Sequence, residues 1–150
     1  MAYETLSDGL KELLDGLIAV HDNRIQAPSI AKARNDNFTS KVRDDPDEED
    51  EPEMEHPVVF THPETGKKAL YVNVSRTHRF KNMTEEESKP LLNYLFEHSH
   101  KPEFTCRFRW EKGSVAFWDN RCTMHFAQPY DDTKYTRHMH RTTVQGDVPY

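Results

Sequence analysis

The C-terminal part of this 150-residue sequence concentrates the side chains best suited to binding metals and anions. The histidine at position 125 lies between Met124 and Phe126, so in a strand its imidazole faces away from both apolar neighbours. Imidazole is a common metal ligand, although a single histidine in such a strand is more often a hydrogen-bonded core residue than a ligand. The pattern makes His125 a candidate metal ligand.

Two arginines follow that histidine at a spacing of four residues, Arg137 and Arg141. If the chain is extended there, both guanidinium groups lie on the same face. Arginine binds carboxylates and similar anions through two parallel hydrogen bonds, and it keeps its charge at any working pH. The spacing alone is equally compatible with an anion-binding site and with structural salt bridges, for example to an acidic loop.

The segment His62-Pro63-Glu64 contains a second pattern that could bind a metal. His-x-Asp or His-x-Glu can supply two ligands of an iron site built from two histidines and one carboxylate. However, Pro63 and Glu64 open a turn that ends at Gly66, where a glutamate points to solvent more easily than to a buried metal. We therefore do not expect an iron pair here, and no His-x-Asp occurs anywhere in the sequence.

The charge distribution is uneven. The sequence has 26 acidic and 20 basic residues, and nine of the acids lie between Asp44 and Glu55 without a single base. Such a density of like charges, with two prolines, predicts a solvated loop over about 43–55. No basic patch indicates nucleic-acid binding, and no apolar run is long enough to span a membrane. Cys106 and Cys122 form no CxxC pair, which favours a reduced, cytoplasmic protein.

Periodicity predicts helices mainly in the N-terminal and central parts of the chain. An apolar stripe predicts a helix over Ser7–His21, and Pro28 opens a second short helix that runs to about Asn37. Thr84 and Glu87 form a capping box, which predicts a helix from that point. Four histidines in polar or helix-end contexts are expected at the surface: His21, His78, His98 and His100.

Strands dominate the remaining predictions. One strand is predicted over His56–Thr61 and another over Ala69–Val74. The part from Val58 to Thr61 is expected to pair with the second strand as a hairpin around the turn that ends at Gly66. Four more strands are predicted further on: Phe104–Trp110, Ser114–Trp118, Met124–Ala127 and Met139–Gln145. Several strands joined by turns, with two or three helices, indicate a β-sandwich decorated with helices.

The motif Trp118-Asp119-Asn120-Arg121-Cys122-Thr123-x-His125, followed by Arg137-x-Met139-His140-Arg141, resembles the C-terminal signature of the taurine dioxygenase (TauD/TfdA-like) family. The segments over 3–21 and 56–73 are also similar to that family, so the resemblance covers nearly the whole chain apart from the acidic loop. It implies an α+β fold containing part of a double-stranded β-helix (jelly-roll, cupin-like) core with flanking helices, incomplete in this chain. Residues 1–150 would form the C-terminal part of such a domain.

The resemblance also implies roles for individual residues. His125 would be a metal ligand of Fe(II), Arg137 would bind the co-substrate 2-oxoglutarate, and Arg141 would bind the anionic end of the substrate. Trp118 would support the site by packing, and Asp119 with Asn120 would shape the turn before His125. No side chain is assigned as a catalytic acid, base or nucleophile. The partners implied are O2 and a small anionic substrate such as taurine, another sulfonate, a sulfate ester or an aryloxyacetate, and a homo-oligomer is compatible with the sequence.

The family's other two iron ligands come from a His-x-Asp pair that precedes the region matched here. The resemblance therefore implies the C-terminal part of a dioxygenase that is not competent alone, with part of its apolar surface exposed. Two alternatives stay open: an active variant that uses His62 and Glu64, and a non-enzymatic remnant or interaction module.

Overall fold

The computed structural model describes residues 1–22, 53–144 and 146. The predicted helix from Pro28 to Asn37 and most of the predicted acidic loop lie outside these residues. The last residues of that loop are described, and they are not a solvated loop, since Met54 and Glu55 lie in a strand. Glu53 pairs with Arg79 on another strand, and Glu55 pairs with Lys81, the residue that follows that strand.

The first helix, α1 (Asp8–Leu14), is capped by the Ser7 hydroxyl, which accepts a hydrogen bond from the Leu10 amide. The predicted continuation of this helix to His21 is wrong. Gly16 adopts a φ of 79°, a left-handed conformation that ends a helix and favours glycine. The chain then forms strand β1 (Ile18–His21), in which Val20 and His21 are buried.

Strand β1 is the centre of a three-stranded antiparallel sheet. It pairs on one side with β2 (Met54–Pro57) and on the other with β5 (Thr77–Phe80). The β5 strand was not predicted, and the predicted strand over His56–Thr61 is divided at Val58 between β2 and the next strand. Ladder hydrogen bonds from two neighbours fix β1 as a strand, although its own sequence continues a helical stripe.

The predicted hairpin is confirmed. Strand β3 (Val59–Thr61) pairs with β4 (Lys68–Leu70), and Val59 lies opposite Leu70. The intervening turn closes through a hydrogen bond from the Gly66 amide to the His62 carbonyl, at 2.8 Å. This hairpin places His62 and Glu64 directly after β3.

The predicted capping box is also confirmed. Thr84 and Glu87 exchange side-chain and backbone hydrogen bonds at the start of helix α2 (Glu85–Ser99). Within α2, Ser88 donates to the Thr84 carbonyl and accepts from the Phe80 amide, which joins the helix to β5. A short 3-10 helix (Pro102–Phe104) follows.

The core lies between the helices and the sheets. Its buried apolar side chains come from α1, α2, the strands and the connections between them: Leu6, Leu14, Ala19, Val58, Val72, Phe80, Leu92 and Leu95. The described part of the chain is thus α+β, with antiparallel sheets and two α-helices, as expected. In these residues, no helix has the length and apolar character needed to cross a membrane.

The four strands predicted beyond residue 103 do not form in the described part of the chain. These predictions are wrong for this structure, because a strand requires a hydrogen-bonded neighbour and these segments pair with none there. The turn predicted over Glu111–Gly113 is present, with the Ser114 amide bonded to the Glu111 carbonyl. Large side chains along this segment are exposed, among them Phe117 at 94% and Val144 at 90%.

A cluster of aromatic rings covers one end of the three-stranded sheet. His21 lies against His56, with ring centroids 5.0 Å apart, and stacks on Tyr71. Burial, together with the neighbouring His56, Arg76 and His78, lowers the pKa of His21 to about 4, against the opposing effect of a hydrogen bond to the Tyr71 backbone. The surface position expected for His21 is wrong.

This cluster predicts a pH-dependent stability. The pKa of His21 is about 4 in the folded chain and about 6.5 when unfolded, so the unfolded chain binds an extra proton between these values. The full contribution of neutral His21 is present above pH 6.5 and is lost as the pH falls towards 4, by about 3 kcal/mol. Urea unfolding of wild type and His21→Gln at pH 7 and pH 4.5 measures it, with exposed His100→Gln as the control. Equal pH dependence in wild type and His21→Gln would contradict the assignment.

Candidate functional site

The turn before His125 is built by one residue, Asp119. Its backbone carbonyl accepts hydrogen bonds from the amides of Cys122 and Thr123, and its carboxylate accepts one from the Arg121 amide at 2.8 Å. A short acidic side chain that bonds the backbone two residues ahead is typical of a turn. The expectation that Asp119 shapes this turn is confirmed.

Trp118 supports His125 directly. The two rings pack with centroids 4.8 Å apart, inclined at 51°. The indole N–H donates a hydrogen bond to the Asn120 side chain, at 2.9 Å, which fixes the orientation of the tryptophan. The packing role expected for Trp118 therefore agrees with the geometry, and Asn120 contributes to the turn by holding that ring.

An ion-pair cluster joins this turn to the β3–β4 hairpin. His62 Nε2 lies 3.1 Å from Asp119 Oδ2 and 3.9 Å from Glu64 Oε2. Arg121 Nη2 donates to Asp119 at 2.7 Å and to Glu64 at 3.3 Å. These contacts connect positions 57 residues apart in the sequence. The hairpin thus holds the segment that carries His125.

Charge governs the protonation of this cluster. The Arg121 guanidinium, through its hydrogen bonds, holds the pKa of the Asp119 carboxyl far below its usual range, and the His62 ring contributes in the same direction. The same contact, with a second from Glu64, raises the pKa of Arg121. Asp119 and Arg121 are therefore both charged at neutral pH. Glu64 is 70% exposed and pairs with Arg121, so it points outward as the sequence predicted.

The three residues assigned from the resemblance lie on the exposed C-terminal segment: His125, Arg137 and Arg141. Within the described residues, neither arginine forms a hydrogen bond or an ion pair that would mark it as a structural salt bridge. The sequence also allows salt bridges from these arginines to the acidic segment before Glu53. That segment lies outside the described residues. The described contacts bring His125 to Trp118 and do not join it to either arginine.

The described residues supply only some of the ligands that an iron site needs. A site of the two-histidine, one-carboxylate type needs three ligand atoms on one face of the metal. Among the described residues, the one group of three potential ligands is His62, Asp119 and Cys122, and it does not include His125. The described residues therefore do not complete an iron site by themselves.

One contact within the site, and one buried histidine outside it, were not predicted. The contact of His62 and Glu64 with Asp119 and Arg121 spans two distant segments, and no local pattern links them. His98 is buried, and its Nε2 lies 2.9 Å from the Ala2 carbonyl, which corrects its expected surface position. Its place on the buried side of α2, one turn after Leu95, was the available indication.

Known proteins resemble this chain over almost its whole length. The family described as "Taurine catabolism dioxygenase TauD, TfdA family" matches residues 1–143. An alpha-ketoglutarate-dependent sulfate ester dioxygenase of Pseudomonas putida is 38% identical, over 99% of this chain and 48% of that protein. A taurine dioxygenase from Burkholderia xenovorans superposes with a TM-score of 0.58 at 43% identity, over 81% of this chain and 35% of that chain. The structure of AAD-2 in complex with Mn(II) and N-oxalylglycine gives 0.56 at 26% identity, over 73% and 40%.

The relatives named here belong to one class of oxidoreductases, the alpha-ketoglutarate-dependent dioxygenases. The chain belongs to the TauD/TfdA family, as its C-terminal motif indicated. The family's cofactor and co-substrate are Fe(II) and 2-oxoglutarate, as expected. The chain spans less than half of the length of the curated relatives it matches, for example 36%, 45% and 40% of three of them.

Proposed function

We propose that this chain is the C-terminal part of an Fe(II)- and 2-oxoglutarate-dependent dioxygenase domain that hydroxylates a small anionic substrate, such as taurine or another sulfonate. The observation that carries the proposal is the family match over residues 1–143, which includes His125, Arg137 and Arg141. The names of the relatives support the substrate class, since they include a sulfate ester dioxygenase and a taurine dioxygenase.

The exposed C-terminal segment supports an incomplete domain. Large apolar side chains that proteins usually bury are exposed along it: Phe108, Val115, Phe117, Phe126, Tyr135 and Val144. Monomeric proteins rarely leave such extended apolar surface in contact with water. We propose that these residues belong to a jelly-roll core, in which strands of the preceding part of the domain pair with this segment and cover it.

The roles of the three site residues follow from their chemistry. A neutral imidazole at His125, held by Trp118, is a suitable iron ligand. Arg137 offers a permanent forked donor for the distal carboxylate of 2-oxoglutarate, and Arg141 offers another for a sulfonate. The remaining two iron ligands would come from a His-x-Asp pair in the preceding part of the domain.

This arrangement implies that the 150-residue chain is inactive alone, because the affinity of a metal site depends on several ligands held together. The alternative with His62 and Glu64 as iron ligands is less compatible with the geometry. Among the described residues, the one group of potential metal ligands that includes His62 contains neither a second histidine nor Glu64. Turnover by the isolated chain that disappears in both His62→Ala and Glu64→Ala would favour that alternative.

A fused domain tests the proposal. We define it as this chain in place of its matching segment in the Burkholderia xenovorans taurine dioxygenase, which is 43% identical there. The fused domain is expected to form succinate from 2-oxoglutarate with Fe(II) and a sulfonate substrate, while the isolated chain forms none. A folded fused domain without turnover on sulfonates, sulfate esters or aryloxyacetates would contradict the proposal and favour a non-enzymatic module.

A further inference from the structure

We propose that His62, Asp119 and Cys122 form a zinc-binding site, separate from the iron site to which His125 would contribute. The three side chains come from two distant segments, the end of the β3–β4 hairpin and the turn at Asp119. Their potential ligand atoms all lie within 4.8 Å of one another. His62 is buried, at 8% exposure, and its Nε2 already lies 3.1 Å from Asp119 Oδ2.

The distances require little rearrangement. Zinc bonds to nitrogen, oxygen and sulfur of about 2.0–2.3 Å place neighbouring ligand atoms roughly 3.3–3.8 Å apart in a tetrahedron. The Cys122 side chain is exposed, so it can rotate about its own Cα–Cβ bond towards the other two ligand atoms. The metal would replace two contacts of Asp119 Oδ2, the hydrogen bond with His62 and the 2.7 Å hydrogen bond from Arg121 Nη2.

The three donor atoms favour zinc over magnesium and calcium. A neutral imidazole, a carboxylate and a thiolate together suit zinc, whereas magnesium and calcium prefer oxygen ligands alone. Glu64 Oε2 lies 3.9 Å from His62 Nε2, so it or a water is the fourth ligand.

The charges balance when zinc binds. The carboxylates of Asp119 and Glu64 and the thiolate of Cys122 carry three negative charges, which Zn²⁺ and Arg121 neutralise. Binding releases the proton of the Cys122 thiol, because a coordinating thiol is deprotonated. Arg121 keeps its contacts with the other oxygen of Asp119, at 3.0 Å from Nε and 2.8 Å from the backbone amide.

Zinc binding has to offset the cost of deprotonating Cys122, because burial raises the pKa of its thiol and the neighbouring Asp119 raises it further. A bound zinc would tie the β3–β4 hairpin to the turn that positions Trp118 and His125.

Cobalt substitution of the full 150-residue chain tests the site, with a phosphine reductant that keeps both thiols reduced. Co²⁺ is expected to bind with one equivalent per chain and to give a near-ultraviolet sulfur-to-cobalt charge-transfer band that Zn²⁺ abolishes. Cys122→Ser should eliminate the band and weaken zinc binding by at least about 10–100-fold. Cys106→Ser, at the other exposed cysteine, should leave both unchanged, and so should His125→Ala.

Adventitious metal binding would give different spectra in these variants. A band that persists in Cys122→Ser, a band lost in His125→Ala, or metal binding without any sulfur contribution would overturn the proposal. X-ray absorption of the zinc-loaded wild-type chain gives a check that needs no variant. One sulfur at about 2.3 Å and no more is expected, and a shell of nitrogen and oxygen alone would overturn the assignment.

Discussion

Replacing His125 by alanine in the fused domain is expected to reduce succinate formation by roughly 1,000-fold. Loss of a group that only supports a metal ligand typically costs 10–100-fold, and loss of a ligand itself costs more. The effect should arise from iron binding and not from folding, because His125 is assigned to the metal and its described ring contact is with Trp118.

The control for this variant is His138→Ala. His138 is another exposed histidine on the same segment, and no role is assigned to it. Steady-state assays of 2-oxoglutarate turnover at one equivalent of Fe(II) and at increasing Fe(II) compare the two variants, with thermal unfolding as the check on folding. Equal activities in the two variants would show that His125 is not an iron ligand.

Arg137 is expected to bind 2-oxoglutarate, and Arg141 is expected to bind the sulfonate. Replacement of Arg137 by lysine should raise KM for 2-oxoglutarate by about 10–100-fold, because a forked pair of charge-assisted hydrogen bonds is lost while the charge remains. The same replacement at Arg141 should raise KM for the sulfonate by a similar factor and leave KM for 2-oxoglutarate unchanged. Measuring both KM values for each variant separates the two roles.

The critical result is which KM each variant changes, the KM for 2-oxoglutarate or the KM for the sulfonate. If both variants raise the same KM, the arginines form one site and the assignment is wrong. If neither KM changes, both arginines are structural, as their spacing alone also allowed. In that case their partners would be acidic side chains, and unfolding experiments should show a loss of stability in both variants.

Structure set by neighbouring residues was predictable from the sequence. The capping box at Thr84 and Glu87, the hairpin turn that ends at Gly66 and the turn built by Asp119 each depend on side chains within a few positions. Their hydrogen bonds close locally, so composition and spacing are sufficient to predict them.

Structure set by distant residues was not predictable. The stretch from Ile18 to His21 continues the apolar stripe of α1, but pairing with β2 and β5 makes it a strand. The same sheet buries His21 beside His56 and Tyr71, where a polar surface position was expected. Neither the strand at Ile18–His21 nor the burial of His21 can be predicted from nearby residues, because the pairing strands lie more than 30 residues away in the sequence.

The candidate site shows the same division. The turn at Asp119 was foreseen, whereas its links to His62 and Glu64 connect segments 57 residues apart. The C-terminal strands illustrate the opposite error: Ser114–Trp118 has a strand-like sequence and forms no strand among the described residues. Alternation predicts a strand only where a neighbour satisfies its backbone hydrogen bonds.

Anaerobic equilibrium dialysis of Fe(II) against the fused domain tests the central claim most directly, namely that this chain supplies one ligand of a shared iron site. The prediction is one iron per fused domain for wild type and for His138→Ala, and loss of that iron in His125→Ala. Iron retained by His125→Ala with wild-type affinity, or bound equally well by the isolated chain, would contradict the claim.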